Sequence, residues 1–227
     1  MAQKLIVEGD NDIHVITRFC LQKGVKNIVG YENETEYKLQ FVYNAGGKGK
    51  AKKGLRIILE QEDKELKNIG IVLDADFQTE NPCLDTWLSL RNILSEYGYA
   101  NLPNIPQIGG TIINQENKPK IGIWIMPNNL NGGYLEHFYE HLLIENDELW
   151  IEASHKIESL IAENRNRFSL VAKQKAKVHT WLSWQQKPEL AMGLSIKEYE
   201  VYFDLNKEIS QSFFDWFINT FDVKLRD

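Results

Sequence analysis

The sequence has little cysteine, little proline and no long apolar run, and each shortage excludes a class of protein. Its 227 residues include two Cys, too few for a disulfide framework or a four-cysteine zinc site. Six Pro and 15 Gly exclude a collagen-like or low-complexity chain. Apolar runs such as 121–126 are far shorter than the roughly 20 residues that span a bilayer. Because Glu8 and Asp10 come before any signal-peptide core could form, we expect a globular, cytoplasmic protein with no membrane partner.

Acidic residues are also missing from two windows, although the net charge is −6. Residues 37–59 and 164–188 each contain six Lys or Arg and no Asp or Glu, so the windows carry +12 and the remainder −18. Such windows can bind a polyanion while an acidic remainder holds a cation. Solvated loops and helix faces are an equally open interpretation. The candidate nucleic-acid contacts in the windows are Lys48, Lys50, Lys52, Lys53, Arg56 and Lys173.

Short apolar runs alternate with helix-like patterns over the first 130 or so residues. This alternation predicts an α/β fold in which helices flank a mostly parallel sheet. Strands are predicted at 4–7, 39–43, 69–73 and 121–126, and helices at about 10–24, 50–66, 84–97 and 133–143. The stretch 101–119, dotted with Pro and Gly, indicates a hairpin or an active-site loop. Because the pattern turns helical from about 146, we divide the chain into an α/β domain, 1–145, and a helical C-terminal extension packed on it, 146–227.

Acidic residues follow three of the predicted strands. Glu8 and Asp12 follow the first, Asp74 and Asp76 follow the buried run 69–73, and Glu136 lies in the first turn of the helix after 121–126. Because the carboxyl ends of parallel strands share one edge, these acids should converge there. The period of two places Asp74 and Asp76 on one side of an extended segment. Carboxylates gathered in a cleft need a compensating cation, and oxygen ligands without Cys or His favour one or two Mg²⁺ or Mn²⁺ ions.

A glycine-rich loop, 44–49, follows the second predicted strand, and the run 46–51 has a composition suited to phosphate binding. It fails the nucleotide-binding Walker pattern, because Asn44 stands where the first Gly belongs and Ala51 replaces the Ser or Thr that binds Mg²⁺. Backbone amides and lysines of this loop could instead contact a nucleic-acid phosphate. A plain surface loop is the other interpretation.

Two acidic motifs carry a resemblance to a known family. Val7-Glu8-Gly9-x-x-Asp12, followed by Asp74-x-Asp76 at the end of an apolar strand, resembles the Toprim domain of primases, topoisomerases and nucleases of the overcoming-lysogenisation-defect (OLD) family. The resemblance covers residues 1 to about 145 and implies a Toprim-like, Rossmann-type fold. Leu135-Glu136 and the stretch 175–181 also resemble a small group of stand-alone Toprim proteins near the OLD nucleases.

The resemblance further implies a site, a partner and a reaction. By position, the metal ligands and catalytic acids would be Glu8, Asp12, Asp74, Asp76 and Glu136, and an assisting lysine would be Lys175 or Lys177. A separate ATPase subunit and a nucleic-acid substrate, DNA in preference to RNA, are expected on the same ground.

Three functions stay open from the sequence. The first is a metal-dependent nuclease of Toprim type. The second is a non-catalytic Toprim-like module that binds nucleic acid or senses a nucleotide. The third is a doubly wound phosphotransferase whose acids hold Mg²⁺ and a nucleotide.

Overall fold

The structure is a computed structural model that describes residues 2–26, 28–30, 37–39 and 41–226. Within these ranges the strands are β1 (Ala2–Val7), β2 (Ile28–Gly30), β3 (Tyr37–Leu39), β4 (Val42–Asn44), β5 (Leu66–Asp74), β6 (Thr111–Ile113) and β7 (Lys120–Met126). Five of them form one sheet in the order β4-β1-β5-β7-β6, in which only β6 runs antiparallel to its neighbour. β2 and β3 form a separate antiparallel ribbon.

Helices flank the sheet and make up most of the C-terminal part. They are α1 (Asp10–Gln22), α2 (Lys48–Glu60), α3 (Pro82–Glu96), α4 (Leu135–Leu142), α5 (Glu148–Ala162), α6 (Lys173–Ser183), α7 (Met192–Glu198) and α8 (Glu208–Thr220). The predicted α/β class, with a mostly parallel sheet and a helical C-terminal part, is confirmed. In the described part of the chain no helix is both long and apolar enough to cross a membrane.

The central strand β5 is covered on both faces, which explains its continuous apolar sequence. Val72 faces the core formed with α1, α4 and α8, whereas Ile71 and Leu73 face the core formed with α2 and α3. The neighbouring strand β7 alternates in the same way, because successive side chains of a strand point to opposite faces. Both faces of the sheet are therefore covered by helices. The edge formed by the carboxyl ends of the parallel strands, called the carboxyl edge below, is where a ligand can bind.

Two adjacent glycines receive the end of α8. Gly70 and Gly122 are paired across β5 and β7. A Cβ at Gly122 would lie 2.1 Å from Oγ1 of Thr220, and one at Gly70 would lie 2.3 Å from Cζ of Phe221. The missing side chains thus make a depression into which the C-terminal helix fits.

Two predicted elements differ from the structure. The predicted strand 39–43 is two strands, since β3 pairs with β2 and β4 pairs with β1; residue 40 lies outside the described residues. The predicted helix up to 66 ends at Glu60, because Leu66 begins β5 and pairs with Ala2. Sheet pairing here outweighs the weak helix propensity of the polar residues in between. The stretch 101–119 contains β6, which forms the predicted hairpin with β7.

Candidate metal centre

The acids that follow β1, β5 and β7 meet at the carboxyl edge of the sheet. Glu8, Asp12, Asp74 and Glu136 line one cleft of about 530 Å³, together with Lys175 of α6. Glu8 directly follows β1, Asp74 ends β5, and Glu136 lies in the first turn of α4. The structure therefore brings together four of the five acids in the predicted site, from three parts of the chain.

Backbone amides hold three of these carboxylates in place. The N–H of Asp74 donates to Oε1 of Glu8 (2.8 Å), and the N–H of Gly9 donates to Oδ2 of Asp12 (2.9 Å). The N–H of Leu135 donates to Oδ1 of Asp74 (3.0 Å). Because a carboxylate has two acceptor oxygens, these bonds orient the acids without using up their capacity to bind a cation.

Glu136 is the buried acid of the cleft that has no hydrogen-bond donor within the described ranges. It is 8% exposed, and Nζ of Lys175 lies 3.9 Å from its Oε1. Its place in the first turn of α4 suits a negative charge, because the positive end of the helix dipole is there. A carboxylate this buried needs a cation for compensation.

The electrostatics of the cleft show how closely these acids interact. Burial, together with the charges of Glu8 and Glu136, raises the pKa of Asp12 to about 7, although the hydrogen bond from Gly9 acts in the opposite direction. Burial also raises the pKa of Asp74 well above its usual range, and the charge of Asp12 adds to this effect. The pKa of Glu8 is raised by the same cause. A cation bound among these groups would oppose all three shifts.

Asp76 is placed differently from the other four acids. β5 ends at Asp74, and Asp76 has a φ of +67° in the left-handed region, which Asp tolerates better than most residues. Its backbone exchanges two hydrogen bonds with Gly133, of 2.9 and 3.0 Å. The prediction of an extended segment through Asp76 is therefore wrong, although the charge of Asp76 still acts on Asp74 and Glu8. Oδ2 of Asp76 instead accepts a hydrogen bond from Nζ of Lys48 at 2.7 Å.

The glycine-rich loop supports Glu8 and positions Lys48. The N–H groups of residues 45, 46 and 47 donate to oxygens of Val7, Asn44 and Glu8 at 2.9, 2.8 and 2.7 Å. The expectation that the loop offers its amides to a phosphate is wrong for these residues, because their donors are used inside the protein. Lys48 follows as the first residue of α2.

The other basic residues of the first window lie along α2. Lys50 and Lys53 are exposed to solvent. Lys52 lies one turn after Lys48 on the same face, and its pKa is lowered by burial and by the charge of Lys48. Arg56 forms an ion pair with Glu96 of α3.

In the second window, one lysine faces the acids. Lys175 lines the cleft, whereas Lys173 and Lys177 form ion pairs with Glu158 of α5 at 3.1 and 2.7 Å. Of the two candidates for an assisting lysine, Lys175 is the one that the structure brings to the acids.

The sequence does not predict the place of Lys48 or any role for Tyr134. Lys48 is a predicted nucleic-acid contact, but β4 runs parallel to β1, and this topology places the residues after β4 beside Glu8. Tyr134 lines the cleft, and its pKa is raised by burial and then by the neighbouring carboxylates, Asp76 foremost. No sequence signal marks Tyr134.

The donor set of the cleft fits a hard divalent cation. Its acidic ligands are all oxygen donors, and Asp12 and Glu136 are 7% and 8% exposed. Such a set suits Mg²⁺ or Mn²⁺ better than zinc. Within residues 2–26, 28–30, 37–39 and 41–226, no group of three or more Asp, Glu, His or Cys side chains is already arranged to hold an ion.

Fold and site together define an α/β protein whose parallel sheet carries a cleft of carboxylates at its carboxyl edge. The chain belongs to the family described as Protein of unknown function (DUF3226), whose sequence profile matches residues 2–222. The match includes the sheet, the cleft and α8. No curated protein and no solved structure matches the chain.

Proposed function

We propose that this protein is a nuclease of Toprim type that hydrolyses phosphodiester bonds of DNA or RNA with Mg²⁺ or Mn²⁺. One observation carries the proposal: four of the five predicted acids, from three strand ends, line a single cleft beside a lysine, together with Asp10. Acids at the ends of parallel strands, rather than scattered over the surface, are what a metal-assisted phosphoryl transfer needs.

Each residue of the cleft has a role in this proposal. Glu8, Asp12, Asp74 and Glu136 would hold the ion, and Asp76 is a further ligand by the resemblance. A bound ion would supply an activated water and neutralise charge on the phosphate. The hydrogen bonds from backbone N–H groups to Glu8, Asp12 and Asp74 keep these ligands fixed, which lowers the cost of reorganisation during the reaction. Lys175, at the wall of the cleft, can donate to a phosphate oxygen.

The basic surface of α2 would bind the nucleic-acid backbone. α2 starts with Lys48, which pairs with Asp76, and presents Lys50 and Lys53 to solvent along its length. Lysines in this arrangement contact phosphates without reading sequence. DNA as the preferred substrate, an ATPase subunit as partner and action in the cytoplasm are proposed on the resemblance and on the sequence alone.

The test compares cleavage of plasmid, linear and single-stranded DNA and of RNA in Mg²⁺, Mn²⁺ or EDTA. We expect metal-dependent cleavage that falls by about 100-fold or more in Asp74→Asn and in Glu8→Gln, because each removes a charged ligand. Asp85→Asn, at an exposed acid of α3, is the matched control and should behave as wild type.

Cleavage, metal binding and thermal unfolding measured together give each alternative function its own result. Cleavage unchanged in both variants would show that the cleft is not the active site. Metal binding without cleavage of any substrate would favour the non-catalytic module. A nucleotide that raises the melting temperature only with Mg²⁺ would favour the phosphotransferase.

A further inference from the structure

We infer that Lys48 is a built-in cation that takes the place of a second metal ion. The cleft then binds one divalent ion, and Asp76 anchors Lys48 rather than binding metal. The inference rests on the proposed function, and it refines the role of two of its residues.

The position of Lys48 is determined by the chain before it. The loop of residues 45–47 is hydrogen-bonded to the end of β1, so α2 begins at a fixed place beside Glu8. From there Nζ of Lys48 donates to Oδ2 of Asp76 at 2.7 Å and to the carbonyl oxygen of Ala75 at 3.2 Å. The side chain is 21% exposed, so solvent screens this pair only in part. Lys48 is thus a resident positive charge among the acids.

Asp76 is held independently of any metal. Its backbone is bonded to Gly133, and the neighbouring Gly132 is packed so closely that a Cβ there would lie 2.8 Å from the carbonyl oxygen of Asp76. The carboxylate is thereby directed to Lys48, while Glu8 and Asp74 line the cleft. Of the five predicted acids, four line the cleft, and the fifth, Asp76, is paired with Lys48 while its charge still acts on Glu8 and Asp74.

Charge repulsion explains why a second ion is excluded. A divalent ion on the carboxylate of Asp76 would lie close to the ammonium of Lys48, in a place with limited access to water. Lys52, one turn further along α2, adds a second positive charge on the same side. Removing the charge of Lys48 should free Asp76 and lower this repulsion, so a second ion should then bind.

The experiment counts Mn²⁺ ions bound per chain, by the paramagnetic resonance of free Mn²⁺ during a titration at pH 7.5. We expect one ion in the wild-type protein, two in Lys48→Met, and one again in the double variant Lys48→Met with Asp76→Asn. Lys64→Met is the control and should bind one ion, because Lys64 precedes the first residue of β5 and lies at the end of the strand opposite to Asp74. Asp76→Asn alone should keep one ion with its affinity changed less than about threefold, whereas Glu136→Gln should lower that affinity by about tenfold or more.

The outcomes separate this inference from the proposed function. Two ions in the wild type, or one ion in a folded Lys48→Met protein, would overturn the inference and leave the nuclease proposal intact. If Lys48→Met does not fold, Asp76→Asn decides, because loss of the ion would make Asp76 a ligand. No ion in the wild type would overturn both. One bound ion without cleavage of any substrate would contradict the proposed nuclease activity and leave the inferred role of Lys48 intact.

Discussion

The backbone N–H of Asp74 donates a hydrogen bond of 2.8 Å to Oε1 of Glu8, although 66 residues separate them. This bond joins the acid after β1 to the end of β5, and it distinguishes two variants of Glu8. Glu8→Gln keeps an acceptor for the N–H, whereas Glu8→Ala leaves that donor unpaired, at a cost of about 1–3 kcal/mol. In EDTA we expect the melting temperature of Glu8→Ala to lie below that of Glu8→Gln, while both variants bind Mn²⁺ more weakly than wild type. Equal melting temperatures would mean that the bond contributes nothing.

Asp12 makes the metal-free protein sensitive to pH. Its pKa is raised from 3.8 to about 7, so the fold favours the protonated acid. Below the unfolded pKa of Asp12 the acid is protonated in both states, and its burial does not lower the free energy of unfolding. As the pH rises to about 7, the unfolded chain loses the proton more easily than the folded one, so the free energy of unfolding falls by up to about 4 kcal/mol. Asp12→Asn keeps an oxygen for the N–H of Gly9 but has no charge. In EDTA, the melting temperature of this variant should exceed that of wild type by more at pH 8 than at pH 5.

The groups that face Asp12 also decide the outcome of that experiment. Glu8, Glu136 and Asp74 carry charges that act on it, and the raised pKa of Asp74 adds a loss of stability in the same direction. Mg²⁺ at pH 8 should stabilise the wild type and have little effect on Asp12→Asn, because binding to the folded state alone raises stability. A constant difference between the two proteins at all pH values would contradict the prediction.

Lys175 and Lys177 should differ in what their substitution changes. Lys175→Gln removes the cation at the cleft wall, so it should lower the cleavage rate at least about tenfold with little change in melting temperature. Lys177→Gln breaks a pair with Glu158 and should cost less than about 1 kcal/mol in stability, since that acid is half exposed. Single-turnover cleavage and thermal unfolding measure the two effects. A larger loss of rate in Lys177→Gln would reverse the assignment.

The exposed lysines of α2 should govern nucleic-acid affinity but not metal affinity. In the double variant of Lys50→Gln with Lys53→Gln, the slope of log affinity against log salt should fall by about two, because two phosphate contacts are lost. Mn²⁺ affinity should stay as in wild type. The control pair is Lys64→Gln with Lys67→Gln. Both lysines lie at the start of β5, the end opposite to Asp74, and their replacement should leave the slope unchanged. An equal effect of both pairs would mean that the attraction is general rather than local to α2.

The depression under α8 makes a prediction about folding. Gly122→Ala would bring a Cβ within 2.1 Å of Thr220, so α8 must shift, and overpacking of this kind costs about 1–3 kcal/mol. Gly109→Ala is the control, since a Cβ there meets nothing within 4 Å. Urea unfolding should give a lower free energy of unfolding for the Gly122 variant alone. Equal values would mean that α8 does not depend on this contact.

Much of the sheet and of the acid cluster could be predicted from the sequence, because both depend on local patterns. The run before Asp74 is apolar without interruption, as a strand covered on two faces must be. The acids Glu8 and Glu136 follow strands, and the rule that parallel strands end at one edge brings them together. The predicted strand 39–43 and the predicted helix end near Leu66 are wrong, because pairing with distant strands determines the bounds of both elements.

The sequence by itself determined that acids stand at successive strand ends and that two windows lack acids. Only the tertiary structure decided that Asp76 turns into the left-handed region and pairs with Lys48, and that Lys175 rather than Lys177 reaches the cleft. The reason is physical: local patterns specify where a strand or a helix begins and ends. The partner of a charged side chain depends on which remote residue comes within hydrogen-bond distance, about 3 Å, once the chain has folded. A local sequence pattern does not specify that residue.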